Sequence, residues 1–237
     1  MRLIDLVEIK GKLIVQTGLR IGAGDAEMRI GGLDNPVIKH PHTLEPYIPG
    51  SSLKGKVRSL LELRSGLVGF TKGEPVALKH LRNLDEASKN EGYKIIKLFG
   101  TGGAEEAELA ELNLGPTRVA FTDCALTDDW RHKVRAQGWA FTEVKSENSI
   151  NRITSTAQNP RQMERVPAGA EFDFRVTLKK FDQDGDELEH LLLQGLKLLT
   201  LDALGGCASR GYGRIALEFA NPQLQEKFDN LTLFATS

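Results

Sequence analysis

The clearest period in the chain runs through Phe172, Phe174, Val176 and Leu178, which alternate with Asp173, Arg175, Thr177 and Lys179. A period of two with one apolar face predicts a half-buried strand. Val7, Ile9, Leu13 and Val15, set against Glu8, Lys10, Lys12 and Gln16, predict a second strand near the start. Arg118 to Leu126 and Tyr212 to Phe219 are shorter candidates, the latter turning Ile215, Leu217 and Phe219 inward. Two segments switch to helical spacing. Over 51–64, Leu53, Val57, Leu60 and Leu61 form one apolar stripe, Lys54 and Arg58 share another face, and Ser51 or Ser52 is placed to cap the start. Further on, Leu188, Leu191, Leu192, Leu196 and Leu199 predict a helix through Ala203, opened by an Asp186/Glu189 capping box and ended by Gly205-Gly206. Gly22 to Gly50 has no sustained period, and Pro36, Pro41, Pro46 and Pro49 break any helix, so it predicts a long ordered surface loop. Residues 65–115 predict an insertion with short helical pieces at His80 to Lys89 and Glu105 to Leu112. Thr142 to Pro167 is polar and aperiodic, the length at which a loop is usually functional or disordered.

The order strand, helix, strand, strand, helix, strand predicts an α+β fold with a ferredoxin-like (RRM-like) βαββαβ core and large loop insertions. The same scaffold carries the RNA-recognition motif, whose sheet faces RNA. We expect one domain over 1–237, with core elements near 5–18, 51–64, 116–126 and 169–220 and an insertion near 65–115. Composition adds little against this. The net charge of −1 argues mildly against a free-standing nucleic-acid binder, although phosphate contacts depend on local charge. Cys124 and Cys207 form no CxxC pair and suit a reducing cytoplasm. Met1 to Ile14 mixes charged and apolar residues and is not a signal peptide, and no apolar run is long enough to span a bilayer.

Several motifs invite chemistry. Gly50-Ser-Ser-Leu-Lys-Gly-Lys56 nearly matches a phosphate-cradling P-loop, but Val57 stands where a magnesium-binding hydroxyl is required, which disfavours an NTPase. The helix start remains suited to a phosphate, and Gly55 within the helix suggests a close approach to its backbone. Asp182, Asp184 and Asp186 lack the glycine and glutamate spacing of a calcium loop and read as a turn. His40 and His42 have no further ligand nearby. In Gly31-Gly-Leu-Asp34-Asn-Pro36 the aspartate reads either as a turn residue or as a carboxylate offered to a divalent metal or a ribose 2′-OH. Gly205-Gly-Cys-Ala-Ser-Arg210-Gly-Tyr-Gly-Arg214 joins four glycines to two arginines, a composition suited to gripping phosphates.

Taken in order, Gly18-Leu-Arg-Ile-Gly-Ala-Gly24, Gly31-Gly-Leu-Asp-Asn-Pro36, Tyr47-Ile-Pro-Gly-Ser-Ser-Leu-Lys-Gly55 and Gly205 to Arg214 resemble the RAMP superfamily. Within it, the chain is most similar to the backbone (filament) subunits of type III-A CRISPR effector (Csm) complexes, over most of its length and least in 65–115. The resemblance implies several copies stacked along a guide RNA beside other subunits of the complex, with no membrane and a cytoplasmic location. Each copy would displace a base with a thumb-like loop, here near 142–167, and cut paired target RNA beside the thumb with a divalent metal, Mg2+ or Mn2+.

By the same resemblance Asp34 matches the aspartate required for the cut and is the candidate catalytic and metal residue. The candidate RNA-binding residues are Arg20, Ser51, Ser52, Lys54, Lys56 and Arg58, then Arg152, Arg161 and Arg165 of the thumb, and Arg210, Gly211, Tyr212 and Arg214 of the glycine-rich tail. Arg20 departs from the family, where many relatives carry histidine, and this leaves the general acid unassigned. The implied reaction is attack of the ribose 2′-OH on the adjacent phosphorus, leaving a 2′,3′-cyclic phosphate and a 5′-OH. Alternatives are a non-catalytic structural RNA-binding subunit, separated only by Asp34, and a guide-precursor-processing RAMP nuclease, for which no histidine sits in a matching loop.

Overall fold

A computed structural model describes residues 1–23, 36–102 and 106–234. The chain is a mixed α+β fold with two antiparallel sheets. Strand β1 (Leu3–Val15) leads to helix α1 (Gly50–Arg64), followed by α2 (Leu78–Leu81), α3 (Glu86–Phe99) and α4 (Glu106–Glu111). Next come β2 (Val119–Phe121), α5 (Asp128–Ala136), and the pair β3 (Glu143–Ile150) and β4 (Ala157–Arg165). The chain closes with β5 (Glu171–Phe181), α6 (Glu187–Leu201), β6 (Ile215–Phe219) and α7 (Pro222–Asp229).

The main sheet has the order β2-β5-β1-β6 and every neighbouring pair is antiparallel. The alternation in β5 buries Phe172, Phe174, Val176 and Leu178, while Ile9, Leu13 and Val15 of β1 join them on the same inner side. Helices α1 and α6 cover that side with Leu53, Val57, Leu61, Leu192, Leu196 and Leu199. The two helices touch at Gly195, where a Cβ would come within 2.7 Å of Val57 and 2.9 Å of Leu61, so only glycine lets them pack this closely.

Segments read from weaker patterns differ in detail. Helix α6 ends at Leu201, short of Ala203, and Asp186 makes no capping bond, its carboxylate turning to Lys180 at 3.2 Å. The start of α1 is capped by neither Ser51 nor Ser52. Asp123, beyond β2, accepts from the Gly50 N–H at 2.8 Å instead, a tertiary cap that local sequence does not announce. Among the described residues, no atom outside its own helical turn lies within 4 Å of a Cβ placed on Gly55, so none of them makes the close approach expected there. Between α1 and β2, α3 runs further than the expected helical piece because Ile95, Ile96, Leu98 and Phe99 pack into the core. That region is also joined to the core by Arg118, fully buried, which grips Asp184 through two bonds of 3.0 and 3.1 Å. The three aspartates 182, 184 and 186 thus serve turns and ion pairs, with Asp182 accepting from the Arg2 N–H.

The polar stretch 142–167, expected as a loop, is a two-stranded hairpin. Its turn is built by Asn151, whose Oδ1 accepts from the Ile153 and Thr154 N–H groups at 2.9 and 3.0 Å. No apolar period marks it because neither face of the ribbon is buried along most of its length.

Candidate nucleic-acid interface

Three segments converge beside the β1/β6 end of the sheet. Residues 16–22 leave β1, the foot of β4 returns at 165–167, and the glycine loop runs from 205 to 214. Leu19 and Val166 exchange backbone bonds of 2.9 and 2.8 Å. Gly213 donates to the Gly18 carbonyl at 3.1 Å, and Gly206 donates to that of Arg20 at 2.8 Å. At Gly213, where φ is +78°, a Cβ would lie 2.0 Å from the Leu204 carbonyl oxygen, so the turn demands glycine on two grounds. The Arg20 guanidinium lies over Gly206, 3.3 Å from where a Cβ would stand.

Asp34 lies outside the described residues, and the described residues on either side of its segment pair with each other. Gly22 and Val37 form an antiparallel bridge, and the Ala23 N–H donates to the Pro36 carbonyl at 3.3 Å. The described ends of that segment therefore meet two residues from Arg20. Glu164 ties this junction to the hairpin. Its buried carboxylate accepts from the Val37 N–H at 2.9 Å, Lys39 Nζ at 2.6 Å and Thr142 Oγ1 at 2.7 Å. Burial pushes the Glu164 carboxyl up, but Lys39, Thr142 and the Val37 amide together outweigh it and hold it below the ordinary 4.5. Among the described residues no group of three His, Cys, Asp or Glu converges to hold a metal ion.

Most of the other candidates fall into two groups. Lys54, Arg152, Arg161 and Arg214 have no acidic partner among the described residues. Lys54 is half-buried near the start of α1, and burial, then the Arg58 charge, hold its ammonium below the usual lysine value of 10.5. An anion there would offset both effects. Arg152 and Arg161 are exposed on the hairpin, and Arg214 is exposed at the end of the glycine loop. Arg161 and Arg210 line an open pocket of about 280 Å³ with Glu147, Asn148, Ser149 and Asn159.

The second group is engaged within the protein. Arg58 donates to Glu62 at 2.7 Å and to the Val76 carbonyl at 2.7 Å, tying α1 to the segment beyond it. Lys56 pairs with Asp202 at 2.7 Å, and Arg165 with Glu143 at 2.7 Å. Arg210 reaches Glu147 at 3.1 Å. Tyr212 has no exposed surface, so its ring stacks on nothing outside the protein. Gly211, with φ +82°, is exposed, and among the described residues nothing beyond its chain neighbours lies within 4 Å of a Cβ placed there. Ser51 is exposed, while Ser52 is half-buried and donates its backbone N–H to the Pro49 carbonyl at 3.0 Å. His40 and His42 lie in a turn where His40 Nδ1 accepts from the His42 and Thr43 amides.

Sequence reasoning missed Glu147, Glu164 and Asp123, three carboxylates that position the candidate elements. Each acts on a residue distant in the chain, so spacing carries no trace of it. Cys124 is buried, which pushes its thiol up to about 12 and leaves it inert. Among the described residues no helix is long and apolar enough to cross a membrane.

Comparison with known proteins sets this geometry in context. A family model described as the RAMP superfamily matches residues 12–216. The chain is 39% identical over 234 residues to the CRISPR system Cms endoribonuclease Csm3 of Methanothermobacter thermautotrophicus, covering 92% of this chain and 85% of that protein. It is likewise 39% identical over 230 residues to the protein of the same name from Mycobacterium tuberculosis, covering 91% and 86%. Among solved structures, a chain of the Csm3–Csm4 subcomplex in the type III-A CRISPR-Cas interference complex aligns over 98% of this chain and 99% of its own, with a TM-score of 0.55 and 24% identity. That last likeness is one of fold.

Proposed function

The chain belongs to the RAMP superfamily, among the Csm3 endoribonucleases, and from that premise we propose that it is a guide-RNA-binding backbone subunit, repeated along a type III CRISPR interference complex, that cuts complementary target RNA at regular intervals. The family match over most of the chain carries this reading. The finer fold reading, a ferredoxin-like βαββαβ core, is supported by the strand order β2-β5-β1-β6 with α1 and α6 on one face. We keep the single-domain reading, with the insertion at 65–115 and the thumb at 142–167. The exposed hairpin at 143–165 is the natural thumb.

Guide RNA is gripped at the start of α1 by Ser51, Ser52 and Lys54, and along the glycine loop by Arg210, Gly211 and Arg214. Arg152 and Arg161 meet RNA on the hairpin, and Arg20 stands at the cutting loop. Lys56, Arg58, Arg165 and Tyr212 support these contacts from within the protein. Partners are target RNA, further copies of the chain and other subunits, in the cytoplasm. Asp34 is the residue on which the cut depends, as base or as ligand of a divalent ion, magnesium or manganese, that would lend charge to the scissile phosphate.

The chemistry is 2′-OH attack in line with the leaving 5′-oxygen. Splaying the target base against the hairpin creates that alignment, which is worth about 7–11 kcal/mol at best. The test is an assembled complex given complementary RNA with a single 2′-deoxy nucleotide at one cut position. Binding should persist while cutting disappears at that position alone. Cutting at the deoxy position would overturn the mechanism.

A further inference from the structure

The hairpin and the glycine loop are joined by one carboxylate that neither motif announces. Glu147 on β3 is mostly buried, at 15% side-chain exposure, and its Oε1 accepts from the Tyr212 hydroxyl at 2.7 Å. Arg210 stands 3.1 Å from Oε2, an ion pair without hydrogen-bond alignment. Lys145 lies 3.4 Å from Oε1 and 4.7 Å above the Tyr212 ring, and the Arg165 guanidinium sits 5.0 Å from the same ring. Each group shifts the other's titration. Burial and Glu147 push the Tyr212 phenol up to about 12, and the Tyr212 bond, with Arg210 and Lys145, holds the Glu147 carboxyl low.

Glu147 is also where the ribbon's ladder breaks. From Glu143 to Glu147 the hairpin pairs in step with Arg165 back to Arg161, then the register shifts before Ser149 meets Gln158. A bulge bends a strand and loosens its pairing. Beyond it, the hydrogen bonds of Asn151, Thr154 and Thr156 stay within the ribbon itself. The ribbon therefore has a pinned base and an outer half set past an irregularity, with the pin at the irregularity.

We propose that Glu147 is a positioning residue: through Tyr212 and Arg210 it latches the base of the hairpin to the glycine loop, so that the outer ribbon meets RNA at a set distance from the loop that grips the backbone. This rests on reading the hairpin as the thumb. Misplacing a thumb by even an ångström would spoil the alignment of the 2′-OH without removing any group that touches RNA. It also explains why a fully buried tyrosine sits in a loop otherwise suited to phosphates.

The test compares Glu147→Gln, Glu147→Ala and Tyr212→Phe with wild type in the guide-loaded complex, reading target affinity, single-turnover cutting rate and cut position. Affinity should stay within about two-fold in all of them, since no RNA contact is lost. Glu147→Ala and Tyr212→Phe should cut about 10-fold slower or worse, with cuts spread onto neighbouring phosphates. Glu147→Gln should recover most of the rate, because its amide oxygen still accepts from Tyr212. Wild-type rate and cut positions in Glu147→Ala would overturn the latch, as would rate and affinity falling in parallel in all three variants. Amide hydrogen exchange at 143–147 and 161–165 in the same complex gives a readout independent of cutting. Exchange should be faster in Glu147→Ala than in wild type or Glu147→Gln, and equal exchange refutes the latch. A wild-type complex that cuts nothing refutes the proposed function, and the exchange experiment then still decides the latch.

Discussion

Strand β5 and the β3–β4 hairpin are neighbours in the chain and both lie in antiparallel ladders, yet they are held by different forces. In β5, Phe172, Phe174, Val176 and Leu178 are at most 2% exposed, and apolar burial against α1 and α6 carries the strand. In the hairpin, Ile153 is 94% exposed, and Val144 and Ile150 are about half exposed at 51% and 49%. Backbone pairing and two carboxylates, the mostly buried Glu147 and the buried Glu164, tie that ribbon to the body. An isolated two-stranded ribbon is marginal in water, so these polar anchors matter more than their number suggests. The difference teaches where function is free to act: the apolar side chains of β5 serve the fold, and the exposed ones beyond the hairpin's bulge are available to a partner.

That comparison is sharpened most by Phe172→Ala. It should cost about 3–5 kcal/mol of stability by opening a cavity in the core, read as a lowered midpoint in urea. Glu164→Gln should have an intermediate effect of about 1–3 kcal/mol, and one that depends on pH. The Glu164 carboxyl lies lower in the folded protein than its ordinary 4.5, so its contribution is fully present above that value. It is lost as pH falls through the lower folded value, and the variant should be blind to that part of the acid transition. Equal acid profiles for variant and wild type would mean that Glu164 does not anchor the hairpin. Ile153→Ser should be the mildest, changing stability by no more than about 0.5 kcal/mol. A large loss there would place the hairpin tip in a core and break the comparison.

The same contrast explains what the sequence made legible. Strands β1 and β5 and the helices α1 and α6 each bury one face, so their periods of two and of about 3.6 were written into the residues. The hairpin buries little along most of its length, so it carries no apolar period and reads as a loop. Of the candidate RNA-binding residues, Lys54, Arg152, Arg161 and Arg214 stand without acidic partners among the described residues, which leaves their charge open to a phosphate. Arg58 and Tyr212 carry the same family pattern, yet the chain holds them inward through Glu62, Val76 and Glu147. Spacing carries no trace of the Tyr212 partner, Glu147, 65 residues away, whereas the Arg58 partner Glu62 stands at i+4 on the same helix and is legible in the spacing.

The central claim is that this subunit cuts RNA through the segment holding Asp34. The most direct test is to assemble the complex with guide RNA, add labelled complementary RNA with magnesium, and run wild type beside Asp34→Ala and an EDTA control. The account predicts a regularly spaced ladder from wild type, absent in Asp34→Ala and in EDTA, with target binding unchanged. Binding without a ladder in wild type, or an undiminished ladder from Asp34→Ala, would contradict it.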